Sequence, residues 1–123
     1  MAFAEFGCPN GTVPNGEKTP EVSEAWCELA AARAVRHGPY RAWYPNGVAG
    51  TEENFDNGKL DGQATYRWRN GKLQAVGKYK SGRRDGVWKF WVESGASAGQ
   101  ADYRGGKVFA GTVPDWAVEN DAP

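Results

Sequence analysis

Few side chains here combine type and spacing in a way that covalent chemistry requires. Cys8 and Cys27 close an irregular stretch rich in Pro and Gly, CPNGTVPNGEKTPEVSEAWC. In an exported protein such a pair reads as one disulfide, worth about 3 kcal/mol on the chain-entropy account. In the cytosol the same residues would be two free thiols. Two cysteines and the lone His37 lack any ligand-pair spacing, so no metal is expected. A single histidine also leaves little room for acid–base catalysis, and no serine lies in a G-x-S-x-G elbow. Glu52, Glu53 and Asp56 form a small acidic cluster. Paired carboxylates hydrolyse glycosides, but in a strand Glu52 and Glu53 point to opposite faces. The expectation is a protein that is not an enzyme and takes no cofactor.

Residues suited to recognition are better organised. Trp43, Arg67 and Trp91 recur at intervals of 24 residues, as do Arg41, Thr65 and Lys89 two places earlier. Tryptophan and arginine dominate binding hot spots, and an exposed indole is a platform for sugar rings. The expected contact surface is therefore Trp43, Arg67, Trp91, Arg41 and Lys89, joined by Glu52, Gln74, Val76, Lys78, Gln100 and Asp102 from the strands between. The structural alternative is that the same rings and cations stack to stiffen the sheet. A protein or an envelope glycan is the expected partner. Nucleic acid is not, although Arg67, Arg69, Lys72, Lys78, Lys80, Arg83 and Arg84 make the middle basic. Bases stack on aromatic platforms for about 1–3 kcal/mol each, yet fifteen basic residues balance fifteen acidic ones over the chain.

The elements that position these residues follow from an internal repeat. HGPYRAWYPNG at 37–47, DGQATYRWRNG at 61–71 and DGVWKFWVESG at 85–95 share one outline, each copy 24 residues after the last. Gly38, Gly62 and Gly86 open the units; Gly47, Gly71 and Gly95 follow nine residues later, and Gly58, Gly82 and Gly106 complete the set. A fixed period of this kind marks stacked supersecondary units. Asn-Gly and Gly-Gly pairs tolerate the positive φ of hairpin turns. Between turns the pattern has period two: Tyr40, Ala42 and Tyr44 share a face, as do Ala64, Tyr66 and Trp68, then Trp88, Phe90 and Val92. Phe55, Tyr79 and Tyr103 add an aromatic slot on the return strands. Successive hairpins joined into one antiparallel meander are expected, with seventeen glycines and six tryptophans favouring short strands and tight turns over packed helices.

This glycine–aromatic–glycine outline over residues 37–108 resembles the bacterial variant of the MORN (membrane occupation and recognition nexus) repeat. The preceding CPNGT…WCEL block looks like a leader attached to such repeats in exported bacterial proteins. The resemblance implies an all-β, single-layer antiparallel meander of hairpin repeats and a role as an interaction or scaffolding module. Lipid binding is attributed to some members, and an antitoxin role to some bacterial variants. The first unit departs from the outline with TEENF where a glycine usually precedes the aromatic, and the third with GQADY; KVFAGTV replaces the expected Asp-Gly, which suggests a terminal capping strand.

Three segments are expected: a disulfide-closed N-terminal cap (1–36), three repeats (37–108), and a capping strand with tail (109–123). The aromatic face needs a cover. Candidates are the cysteine segment with Phe3, Phe6 and Trp26, the tail around Trp116, or a second copy. SEAWCELAAARAVRHG can form either a short helix capped by Ser23 or a further hairpin. His37 matches Asp61 and Asp85 and reads as a turn residue. MAFAEFG lacks the charged and apolar regions of a secretion signal, whereas Ala2-Phe3-Ala4 has the look of a cleavage site's last residues. The cysteines favour a periplasmic or cell-surface module. Readings from other classes are a structural spacer or oligomerisation domain of a surface assembly, and an antitoxin-like inhibitor. Lipid contact would want a basic patch on one face, but the cations are divided between turns and both faces.

Overall fold

A computed structural model describes residues 7–18 and 23–118. Ten strands follow in order: β1 (Thr12–Lys18), β2 (Ser23–Leu29), β3 (Ala32–Trp43), β4 (Ala49–Asp56), β5 (Lys59–Leu60), β6 (Gly62–Arg67), β7 (Leu73–Lys80), β8 (Arg83–Trp91), β9 (Ser97–Arg104) and β10 (Lys107–Gly111). All belong to one antiparallel sheet in which spatial order follows chain order, except that the short β5 folds back on β4 and β6 then pairs β4 further along. The described residues contain no α-helix, only a 3-10 turn at Asp115–Ala117. The single-layer antiparallel meander expected from the repeats is the architecture found.

Both turn sets form as their residues dictate. Asn57 and Ser81 take φ of 47° and 51°, each followed by a glycine at 88° or 87°. Two successive left-handed residues twist in the same sense as the flanking strands, which holds a two-residue hairpin in register. At the other set, Gly47, Gly71 and Gly95 donate N–H to the carbonyls of Tyr44, Trp68 and Val92, all at 2.9 Å. Beyond each of these turns the return strand carries one residue too many for its partner: Gly50, Gln74 and Ala98 are the extra residues of three equivalent β-bulges.

Neighbouring repeats are tied by donors that reach one unit ahead. Tyr44 Oη donates to the Arg67 carbonyl at 2.8 Å, and Trp68 Nε1 to the Trp91 carbonyl at 3.0 Å. Asn46 and Asn70 side-chain amides donate to the carbonyls of Arg69 and Glu93, both at 2.8 Å. In the third unit Val92 and Ser94 stand at the matching positions. His37 is a turn residue: its Nδ1 accepts the Asn57 N–H at 3.0 Å, as the Asp61 carboxylate accepts that of Ser81 at 3.3 Å.

The N-terminal segment is more ordered than its composition suggests. The stretch between Cys8 and Cys27, expected to be irregular, contains β1 and most of β2, which pair along their length. Pro14 fits because β1 is an edge strand, where a proline's missing N–H costs no ladder bond. Residues 24–36 form a hairpin and not a helix, since β2 is paired on both sides, by β1 and by β3. Strand β3 runs unbroken through residue 36, so the N-terminal segment and the first repeat share one strand.

The main core lies on the aromatic face of the C-terminal half. Trp88 and Phe90 are fully buried among Ala64, Ala75, Tyr79, Ala101 and Tyr103. A lone sheet buries a tryptophan this well because the indole lies flat over Gly77, where any Cβ would overlap its ring atoms. Tyr79 and Tyr103 meet Trp88 edge-on, with centroids 5.1 and 6.5 Å away, and Tyr66 stacks at 6.2 Å. Trp88 Nε1 donates to the Lys78 carbonyl at 3.0 Å, so the polar edge is satisfied. The C-terminal segment covers this core: Ala117 is buried in it, and the Trp116 ring meets Trp68 at 5.1 Å and Phe90 at 6.1 Å. The tail around Trp116 is thus a cover of the aromatic face. Phe3 and Phe6 lie outside the described residues.

Candidate binding faces

Cross-strand register assigns each side chain to a face. Arg41 pairs Glu52, Glu52 pairs Thr65, Thr65 pairs Val76, Val76 pairs Lys89, and Lys89 pairs Gln100. These residues line one row across the face opposite the aromatic core. Lys89, Gln100 and nearby Val87 are exposed; Thr65 and Val76 are half-buried. Trp43, Arg67 and Trp91 fall on the same face at the strand ends, as the repeat spacing predicts, and all three are half-buried.

The row is not uniformly open. Glu52 is the common partner of two of the expected contact residues: Arg67 Nη1 donates to its Oε2, and Arg41 Nε lies 3.5 Å from its Oε1. Trp43 packs against a second, smaller core formed by Ala25, Cys27 and Cys8. Cys8 and Cys27 form a disulfide, with Cα atoms 5.6 Å apart, and Pro9 sits beside Gly38 on this side of the sheet. So the disulfide and Pro9 cover the N-terminal end of the contact face, while Trp26 of the same segment stands on the aromatic face. Beyond it, Lys89 and Trp91 with Val76 and Val87 make the open part. A disulfide of this kind implies an oxidising, non-cytoplasmic compartment.

Glu52 and Glu53 do point to opposite faces. Glu53 accepts a hydrogen bond from Tyr66 Oη, which itself lies 3.2 Å from Tyr79 Oη. Burial pushes the Glu53 carboxyl above the ordinary carboxylate range, opposed by the Tyr66 hydrogen bond and the Arg36 charge. Burial likewise raises the Tyr66 phenol. Glu28 is the contrary case. The Trp26 indole, the Asn15 amide and Arg33 donate to it at 3.0, 2.9 and 2.8 Å and hold its pKa at about 2. Among the described residues no group of three His, Cys, Asp or Glu side chains could hold a metal ion.

Three features escape sequence patterning. Gln74, expected on the contact face, lines a cleft on the aromatic face instead, because a bulge residue drops out of period-two alternation. Arg84, grouped above with the basic residues of the middle, is buried: its guanidinium lies 4.8, 5.4 and 5.8 Å from the ring centroids of Trp88, Tyr103 and Phe90. Two periods earlier, Arg36 sits over Trp26, Tyr40 and Phe55 at 4.5, 5.2 and 5.7 Å. Each half of the aromatic face is thus built around one cation. The 48-residue spacing of Arg36 and Arg84, with Leu60 midway, is a signal that could have found them.

No known protein family matches the chain, and no curated protein matches it. Among solved structures, the Glycosylation Associate Protein (Gap123) complex from Streptococcus agalactiae is similar, with a TM-score of 0.45 and 15% identity over 88% of this chain and 20% of that one. The chain therefore spans about a fifth of the length of the solved chain it matches. So distant a likeness carries nothing about function.

Proposed function

We propose that this protein is a non-enzymatic, MORN-like binding module of the periplasm or cell surface that recognises a protein through the face opposite its aromatic core. One observation carries this reading: between the Arg41–Glu52–Arg67 ion cluster and β9, the row Thr65, Val76, Lys89 and Gln100 has apolar, cationic and amide groups side by side, with Val87 and Lys89 exposed. A broad open face with mixed chemistry suits a protein partner better than a small ligand, which prefers concavity. Lys89 and Trp91 are the central contacts. Arg41 and Arg67 act through the network on Glu52, and Trp43 chiefly stiffens the disulfide end. The open edge β10 is a poorer candidate, since a bulge at Phe109, the flanking Lys107 and the Arg104 guanidinium 3.6 Å above the Phe109 ring all blunt edge-to-edge pairing.

The test is affinity capture from the envelope fraction of the source organism, comparing wild type with Val87→Asp/Lys89→Glu after circular dichroism shows both folded. A protein retained by wild type and lost by the variant supports the reading. Identical eluates, or none, overturn it and favour a structural spacer.

A further inference from the structure

We infer that the aromatic face carries a second, separate site: a cleft that takes a neutral saccharide of about one to two rings. The cleft lies where the C-terminal segment crosses the sheet. It holds about 320 Å³, and its lining includes Tyr66, Trp68, Gln74, Tyr79, Arg84 and Trp116. That volume stands at the lower end of the roughly 300–1,000 Å³ common for ligand pockets, too little for a length of extended peptide.

The chemistry of the wall narrows the ligand. Four of the eight lining residues present rings, and Trp68 and Trp116 meet at 65°, so that two indoles of different orientation border one space. Such surfaces suit the C–H faces of a pyranose. The hydrogen-bonding groups beside them are mainly uncharged: the Tyr66 and Tyr79 hydroxyls, 3.2 Å apart, and the Gln74 amide. The Tyr66 proton goes to Glu53, so the phenol oxygens serve as acceptors while the Gln74 amide both donates and accepts, which together match sugar hydroxyls. A purely apolar ligand would strand the Gln74 amide. Nor does the wall call for an anion. The one cation, Arg84, is already spread over three rings and donates from Nη1 to Tyr103 Oη at 2.8 Å and to the Ala117 carbonyl at 2.7 Å. Its work is to hold the C-terminal segment in place and so to form the cleft's roof.

The repeat explains why the cleft occurs once. In the first unit the position of Gln74 is Gly50, and Tyr44 lies directly over it, with its Cε2 only 2.6 Å from where a Cβ would stand. In the third unit Val92 replaces the ring. Only the middle unit combines a tryptophan, a polar bulge residue and the crossing segment.

Tryptophan fluorescence and two-dimensional NMR of the intact protein would follow titration with cellobiose, maltose, lactose and N,N′-diacetylchitobiose to millimolar concentrations. At least one should give saturable changes at Trp68, Gln74 and Trp116. Trp116→Ala should weaken that binding at least tenfold and Gln74→Ala several-fold, whereas Val87→Asp/Lys89→Glu should leave it unchanged. Because Trp116 also packs on Phe90, Gln74→Ala carries the test if Trp116→Ala unfolds. The inference is overturned if no sugar saturates, or if a folded Gln74→Ala protein binds like wild type. Failure here leaves the protein-binding face untouched, and the reverse also holds.

Discussion

Replacing Gly77 with alanine should destabilise this protein, although a glycine-to-alanine change in a strand ordinarily does the reverse. Alanine normally gains over glycine in a strand through lower chain entropy, and Gly77 is not among the positive-φ residues, so its backbone imposes no strain. The cost is steric: the new Cβ would fall within the Trp88 indole. Trp88 cannot retreat, being fully buried, hydrogen-bonded to the Lys78 carbonyl and enclosed by Tyr66, Tyr79 and Tyr103. Overpacking costs about 1–3 kcal/mol, and an immobile ring puts this site in the upper part of that range. At about 4 °C per kcal/mol for a domain of this size, Tm should fall by about 10 °C. Thermal and urea unfolding followed by near-ultraviolet circular dichroism would read both. In a Trp88→Leu background, with a smaller and rotatable side chain over the glycine, the same change should cost less than about 0.5 kcal/mol, a coupling expected only of contacting residues. A Gly77→Ala protein within about 0.5 kcal/mol of wild type, or equal costs in the two backgrounds, would refute the packing argument.

Other expectations follow from the same geometry. Cys8→Ser/Cys27→Ser should lower stability by about 3 kcal/mol, read as a shift in urea midpoint, while reductant should have no effect on the double variant. Asn70→Ala removes both the bond to the Glu93 carbonyl and the side-chain acceptor of the Lys72 N–H; it should cost about 1–2 kcal/mol, and Asn70→Ser, the residue at the matching place in the third unit, should cost less. Glu28 has a folded pKa of about 2 against an ordinary value of 4.5. Its contribution is therefore complete above pH 4.5 and is lost as pH falls from there towards 2. Glu28→Gln should flatten that part of the stability–pH profile measured by urea unfolding; an unchanged profile would remove Glu28 from the account.

Much of the architecture is legible in the sequence because the information is local. Asn57-Gly58 specifies its turn through residues that accept positive φ, and alternation sets which face Tyr66 or Arg67 takes. The same alternation misplaces Gln74, because an extra residue in one strand is defined by its partner's register and leaves no mark in its own neighbours. Arg84 is hidden for a different reason. A cation reads as solvated until the rings that replace its water are brought over it, and those come from Trp88, Phe90 and Tyr103 on two strands. The N-terminal hairpin was obscured by proline and glycine, which disfavour central strands but are tolerated in β1 at the edge. Which expected contact residues are open was beyond reach too: that depends on Glu52 bridging Arg41 and Arg67, and on where the disulfide segment lies.

The central claim is that the face bearing Lys89 and Trp91 meets a protein. Its most direct test is in-cell photo-crosslinking, with a benzophenone amino acid placed at Val87 on that face and, as a control, at Phe109 on the edge strand. The account predicts one adduct of discrete mass from position 87, abolished by Lys89→Glu, and no such adduct from position 109. No adduct from position 87, or the same adducts from both positions, would contradict it.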